Sequence, residues 1–318
     1  LDAGTRAAGR DARPEAPARP EPGRPKRILG VVGSLRPGGN SEMLVRVALQ
    51  AAAERGAETA VVFLRDLRID FCDGCLTCVF HGGRCRRDDD VSWFYETAAS
   101  YDGIIVASPT YLLGAPGQVK ALIDRGVAEH AKAPGRREVP VGVACVAGLP
   151  GWDYLVRPMV NQLALLLGGR LVGSIMAYAP GPAEVLLDAE IVRQTRELAL
   201  AVLEDRPLPA PPGVCPVCYL PRPERAQSSE REGGATEVPT GPCPFCLYDP
   251  ARPDRPHRFS ASSLAHFLVD WMLPSRERFL AHRDAVRRAR ADLPSAEIGV
   301  LRPPPVGAAE KEEGDGRP

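Results

Sequence analysis

Five times between residues 27 and 205 a short apolar run gives way to a new segment, and this alternation constrains the fold more than any other feature. RILGVVGS leads into SEMLVRVALQAAAERG, with Leu44, Val47, Ala48 and Ala51 on one helical face. TAVVFL leads through a cysteine-rich stretch to DDDVSWFYETAASYD, and GIIVASP leads to PGQVKALIDRGVAEH. VPVGVACVAG precedes a helix around 153–167, and LVGSIMAY precedes one over 183–204. Strands this uniformly apolar are buried on both faces, which means a parallel sheet covered by helices. Right-handed crossovers then predict an α/β doubly wound fold of five strands in the order 2-1-3-4-5.

The 318 residues exceed what that unit needs. Residues 1–26, built largely of Ala, Arg, Pro, Gly and Glu, have nothing to bury and read as a disordered arm. The sheet domain is expected over 27–207, a proline-rich linker RPLPAPPGV follows, and 208–300 reads as a small metal-binding and helical module. The stretch 301–318 reads as a disordered tail. Lys plus Arg and Asp plus Glu number 40 each, so no bulk field draws the chain to nucleic acid or a membrane surface. The apolar runs are too short to span a bilayer, and no secretory h-region opens the sequence. Eight of the 9 cysteines lie in CxxC-type groups, which in a cytoplasmic setting points to metal or redox chemistry rather than disulfides.

GSLRPGGNSEML follows the first strand and opens a helix, where free backbone N–H groups and the positive helix end favour a phosphate. Ser34, Asn40 and Ser41 add short polar side chains, Arg36 a forked cation, and Gly38 and Gly39 close backbone approach. The loop is neither GxGxxG nor a P-loop and suits a terminal phosphate monoester; the plainer reading is a glycine turn with a capping serine. Ser108 to Tyr111 follow the third strand and Gly148 to Trp152 the fourth, completing a cradle for a flat phosphorylated ring. Taken singly, Tyr111 and Trp152 also suit ordinary packing at a sheet edge.

FCDGCLTCVFHGGRC places Cys72, Cys75, Cys78 and Cys85 in one loop. C-x2-C-x2-C can occupy three corners of a cubane cluster and a fourth cysteine closes it; zinc, reduced thiols or a redox disulfide remain open. His81 reads as a solvated loop residue, Asp88 to Asp90 as caps of the next helix, and Cys145 as core.

GSLRPGGNS, C-x2-C-x2-C-x6-C and SPTYLLGAPGQVKALIDR occur in that order, and over about 27–205 the chain resembles the flavodoxin-like NADPH-dependent FMN reductases, especially the iron-sulfur flavoproteins among them. The resemblance implies a flavodoxin-like fold and FMN, with Ser34, Arg36, Asn40 and Ser41 on the phosphate. It implies Pro109, Thr110, Tyr111 and Leu112 along the isoalloxazine, and it is weakest around Gly148 and Trp152. It further implies a [4Fe-4S] cluster at Cys72, Cys75, Cys78 and Cys85, and a homo-oligomer, dimer or tetramer, passing electrons between subunits. NAD(P)H or a ferredoxin-type protein would be the donor. The alternatives are a cluster-free NAD(P)H:quinone or flavin reductase, and a redox-sensing or electron-carrier protein.

The resemblance does not reach CPVC at 215–218 or CPFC at 243–246. Two such knuckles, each presenting two thiolates, follow the spacing logic of a zinc ribbon, so Cys215, Cys218, Cys243 and Cys246 are read as Zn2+ ligands; a second cluster, or an unstructured tail with incidental cysteines, remains open. Beyond them, SSLAHFLVDWML carries one apolar helical stripe. The arginines Arg276, Arg278, Arg283, Arg287, Arg288 and Arg290 are interrupted by Glu277, Asp284 and Asp292, as on a solvated helix rather than a nucleic-acid surface.

Overall fold

The computed structural model describes residues 23–132, 138–222 and 241–254, with separate positions between 277 and 288. Its sheet has five parallel strands: β1 (Arg27–Val32), β2 (Glu58–Phe63), β3 (Gly103–Pro109), β4 (Val139–Ala147) and β5 (Gly169–Tyr178). They lie in the order β2-β1-β3-β4-β5, as the alternation of elements predicts.

Alternation within β1 sets the two layers. Leu29 and Val31 face a core built with α3 (Val91–Ala99), α4 (Gly117–Lys132) and α5 (Val156–Leu166). Ile28 and Val32 face α1 (Asn40–Ala53) and α6 (Ala189–Glu204). Gly30 lies on this second face, where an added Cβ would stand 2.4 Å from Val45 Cγ1, so the missing side chain lets α1 lie flat on the sheet. Strand β4, with both neighbours paired, is buried along its whole length. Cys145 belongs to its core face, and burial pushes its thiol up to about 12.

The helix after β4 begins at Val156 rather than near 153, and two further features depart from the periodicity. The last helix begins at Ala189, not near 183, because the Asp188 carboxylate accepts the N–H groups of Glu190 and Ile191 and fixes the start there. Residues 184–187 before it form a 3-10 turn. A four-residue helix, α2 (Thr77–Phe80), sits inside the cysteine loop, entered through Leu76 at φ 59°. Among the described residues, no helix is long and apolar enough to cross a membrane.

The chain divides into two units, Leu1–Arg276 and Glu277–Pro318. In the second, Glu277, Leu280, Ala281, Arg283, Asp284, Ala285 and Arg288 are helical and exposed. Residues 1–22 of the expected arm, the SSLAHFLVDWML stripe and the 301–318 tail lie outside the described residues. Within the first unit, Arg24 pairs with Asp102 at 2.9 Å.

Candidate functional site: a polar cradle and two cysteine groups

The loops following β1, β3, β4 and β5 all emerge at the carboxyl edge of the sheet, where open α/β sheets bind ligands. The first runs from Gly33 to Gly39 into the start of α1. Gly33 N–H donates to Ala107 O at 2.7 Å, bringing the ends of β1 and β3 together. Ser34 Oγ accepts from Arg36 N–H at 3.2 Å, and Gly38 takes φ 66°. Gly39 caps α1 without a side-chain hydrogen bond, and the first recurring helical bond comes from Met43. The α1 terminus therefore presents free N–H groups.

Two hydroxyls here lack partners: Ser41 Oγ and Thr110 Oγ1 are buried and make no hydrogen bond within the protein. Folding leaves few buried polar atoms in that state; Ser41 Oγ at the α1 N-terminus fits a phosphate, and Thr110 Oγ1, in the loop after β3, offers a further unmet donor and acceptor at the same sheet edge. Arg36 is exposed at the loop surface. Asn40 is engaged differently from the expected phosphate contact. Its amide donates to Ala179 O at 2.9 Å and Gly181 O at 2.8 Å, and its Oδ1 accepts from Val185 N–H. It thereby ties the start of α1 to the loop after β5.

Glu42 lies beneath the loop. Its carboxylate accepts from Gly38 N–H at 3.0 Å and is neutralised by Arg46 at 2.7 Å and Arg65 at 3.0 Å. Burial pushes its pKa up, but Arg46, the Gly38 N–H and Arg65 outweigh it and hold the group down at about 2. Because the folded value is below the unfolded one, the stabilisation is full above about pH 4.5 and is lost as pH falls towards 2. Glu42→Gln should therefore cost about 1.5–3 kcal/mol at neutral pH and flatten the acid limb of a stability-versus-pH curve. Chemical denaturation at pH 7, 4.5 and 3 measures this.

The second loop carries Pro109, Thr110, Tyr111 and Leu112. Tyr111 and Gly114 exchange both backbone hydrogen bonds, closing a turn whose central residues, Leu112 and Leu113, have φ 44° and 73°. Two leucines in the left-handed region make a type I′ turn without its usual Gly or Asn, which is strained. Leu112 is 90% exposed and Tyr111 half-exposed, so the turn presents apolar surface beside the cradle. In the third loop, Gly148 is exposed and Trp152 is 57% exposed. Leu149, Tyr154 and Leu155 are also exposed there. Helix α5 joins the last two loops: Leu155 N–H donates to Leu113 O at 2.9 Å, and Met159 lies over Gly114, whose missing Cβ makes room.

The cysteine loop is pinned at its neck. Arg125 of α4 forms a two-pronged pair with Asp89, at 2.7 and 3.0 Å, with both side chains almost wholly buried. The same guanidinium donates to Asp70 O, and Asp89 also accepts Asp70 N–H. Arg68 N–H donates to Asp90, whose own N–H returns to Arg68 O. The acidic run thus does more than cap α3. Asp89 accepts from Val91 N–H, as a cap would, but Asp90 makes no capping bond and closes the neck instead. Burial pushes Asp89 up, yet Arg125 and the N–H donors bring its pKa below the usual range.

Inside the neck, Cys72 and Cys75 are exposed, Cys78 and Cys85 half-buried, and His81 is exposed. Burial, then the Cys85 and Cys72 thiols, push the Cys78 thiol up, and Cys85 and Cys72 also act on Arg125. Cys72, Cys78 and Cys85 therefore share one neighbourhood. Cys75 accepts from Thr77 Oγ1 at 3.2 Å and lies by the Asp73–Arg86 ion pair.

The C-terminal cysteines are gathered far more tightly. The thiol sulfurs of Cys215, Cys218, Cys243 and Cys246 are all buried and lie within 4.8 Å of one another. Cys215–Cys246 and Cys218–Cys243 approach to 3.6 and 3.8 Å, close to the edge of about 3.8 Å that a tetrahedron with metal–sulfur bonds of about 2.3 Å requires. A cubane, with four separated irons, needs its thiolates further apart, so this set fits a single ion. The knuckles repeat one backbone design. Cys215 N–H donates to Leu220 O and Cys243 N–H to Tyr248 O, while Tyr219 and Leu247 return bonds to Cys215 O and Cys243 O. Both of these latter residues are left-handed, at φ 54° and 64°.

The first knuckle is built into the sheet domain. Tyr219 is buried in the core beside α5, with its hydroxyl 3.0 Å from Val172 O and 2.9 Å from Leu208 O. Asn161 of α5 donates to Cys218 O, and Arg157 of α5 donates to Tyr219 O at 3.1 Å and Ser174 O at 3.0 Å. Sequence reasoning did not single out Arg125, Asp89's partner, nor Arg157, Asn161 and Tyr219. One signal was available: Leu122, Arg125 and Glu129 follow helical spacing on an otherwise apolar stripe.

A sequence model described as NADPH-dependent FMN reductase matches residues 26–181. An iron-sulfur flavoprotein of Methanocaldococcus jannaschii is 42% identical over 147 residues, 46% of this chain and 76% of that protein. One from Archaeoglobus fulgidus is 33% identical over 159 residues, 50% of this chain and 71% of that protein. A solved flavone reductase superposes with TM-score 0.59 at 18% identity, covering 87% of this chain and 100% of that one, which shows the shared fold. The chain belongs to the NADPH-dependent FMN reductase family of FMN-dependent oxidoreductases and, within it, to the iron-sulfur flavoproteins.

Proposed function

We propose that the chain passes electrons between NAD(P)H or a ferredoxin-type protein donor, a [4Fe-4S] cluster at Cys72, Cys75, Cys78 and Cys85, FMN and an acceptor. The observation that carries this reading is the cradle with its two unpartnered hydroxyls, Ser41 Oγ and Thr110 Oγ1, together with a pinned four-cysteine loop. FMN, when bound, supplies the chemistry, exchanging electrons singly or in pairs. The chain's own residues bind and orient. Ser34, Arg36, Ser41 and the free N–H groups of α1 would hold the phosphate, with Asn40 and Glu42 keeping that loop in shape. Pro109, Thr110, Tyr111 and Leu112, with Gly148 and Trp152, would border the ring, and their exposed apolar surface would exclude water. No side chain is required as a general acid or base.

Residues 27–207 are proposed as the flavin domain and 208–300 as an appended module holding Zn2+ at Cys215, Cys218, Cys243 and Cys246. A cytoplasmic dimer or tetramer would cover the apolar rim. The cluster-free alternative draws on Cys75, which is engaged with Thr77 and lies by Asp73–Arg86 rather than with the other three thiols. Iron and acid-labile sulfide per chain, measured on protein purified without oxygen, decide between them. Four of each support the cluster, whereas a flavin-loaded chain without either supports a plain NAD(P)H:quinone or flavin reductase.

A further inference from the structure

Cations withdrawn from water need counter-charge, and the surroundings of the C-terminal cysteines hold one partly buried arginine, Arg157, and one buried one, Arg222, that form no ion pair among the described residues. Among the described residues, Arg157 donates to the carbonyls of Tyr219 and Ser174, and its Nε–H is buried without an acceptor. Arg222 is 9% exposed; its guanidinium donates to Gly241 O, its backbone N–H to Gly213 O, and its Nε–H is likewise unsatisfied. Both flank the cysteine group: Arg157 binds the carbonyl next to Cys218, and Arg222 binds the carbonyl two residues before Cys243.

Four thiolates around one divalent ion carry two negative charges, which matches two guanidinium groups. Two disulfides, or four neutral thiols, would leave both guanidinium groups without a paired negative charge among the described residues. We infer that Arg157 and Arg222 are the counter-charges of a divalent metal tetrathiolate at Cys215, Cys218, Cys243 and Cys246, and that Arg157 makes this centre a clamp on helix α5. This inference rests on the zinc reading of the module given above.

The clamp has a consequence for the flavin cradle because α5 is shared. Through Arg157 and Asn161 it holds the first knuckle. Through Leu155 and Met159 it holds the strained 111–114 turn, and its own start ends the 148–155 loop. Loss of the metal loosens the knuckle and weakens the bonds of Asn161 to Cys218 O and of Arg157 to Tyr219 O, leaving Arg157 held by Ser174 O alone. The start of α5, and with it two of the cradle's loops, is then less firmly held. By linkage, an occupied metal site strengthens FMN binding and FMN strengthens metal retention by the same factor.

The experiment uses the full chain. Zinc affinity is measured by competition with a chromophoric chelator for the wild type, Arg157→Met, Arg157→Lys and Arg222→Met. FMN affinity is measured by fluorescence quenching on zinc-loaded and zinc-stripped wild type. Each Met variant should weaken zinc about 10–100-fold, as loss of outer partners of a metal site commonly does, and Arg157→Lys should recover most of that loss. Stripping zinc should weaken FMN about 5-fold or more. Unchanged zinc affinity in both Met variants overturns the counter-charge assignment, and equal FMN affinity with and without zinc overturns the clamp. A wild-type chain that binds no zinc, or carries two disulfides, refutes the zinc reading itself and the inference with it. If Arg157→Met does not fold, Arg157→Lys, Arg222→Met and the wild-type stripping experiment separate the same outcomes.

Discussion

Arg125→Met should destabilise the chain by about 3–5 kcal/mol and yield protein low in iron. The cost arises because Asp89 would stay buried, at 1% side-chain exposure, with its cation gone. The iron loss follows from the neck: Arg125 holds Asp70 at the entry of the cysteine loop and Asp89 at its exit, so one guanidinium brings Cys72 and Cys85 to the same side. Stability and loading can be separated. The double variant Arg125→Met with Asp89→Leu removes both charges and should recover much of the stability, since apolar replacement of a buried pair is often neutral. It should not recover iron, because the Asp70 N–H and carbonyl would remain without their anchors. Urea unfolding and iron analysis on the same preparations test both parts. Full iron content in Arg125→Met would show that the loop needs no external anchor.

Ser41→Ala should move two measurements in opposite directions. In the flavin-free chain the Ser41 hydroxyl is buried without a partner, so its removal should leave stability unchanged or slightly raise it. In the loaded chain the same hydroxyl is expected to bond to a charged phosphate, worth about 1.5–3 kcal/mol, so FMN should bind about 10–100-fold more weakly. A purely structural serine would lower both together. Thr110→Val should show the same opposition, because Thr110 Oγ1 is orphaned in the same way. Thermal unfolding of flavin-free protein beside an FMN titration reads both signs.

The fold was legible because it rests on local rules. Runs such as GIIVASP and VPVGVACVAG are buried on both faces, and the crossover rule then leaves little choice of strand order. Helix ends were less legible, since Asp188 fixes the start of α6 through a cap that periodicity does not see. In the candidate site, the sequence pointed to loops that the structure places at one sheet edge, but not to the contacts of individual residues. Asn40 reads as a phosphate contact from its position, yet its amide is used by Ala179 and Gly181, 139 and 141 residues away. The Asp89–Arg125 pair, and the seat of Tyr219 against α5, depend on tertiary contacts between residues distant in the chain. The knuckles lie at the other extreme: CPVC and CPFC specify their turns locally, and the structure brings all four sulfurs together.

The 34–41 loop and the start of α1 are proposed to grip the phosphate of FMN. This grip is tested most directly by anaerobic titration of flavin-stripped chain with FMN and, in parallel, with riboflavin, which lacks the phosphate. Uptake of one FMN per chain is expected, with riboflavin bound more weakly by at least about 100-fold, as two or more charged hydrogen bonds require. Equal affinity for the two flavins, or failure to take up FMN at all, would contradict this proposal.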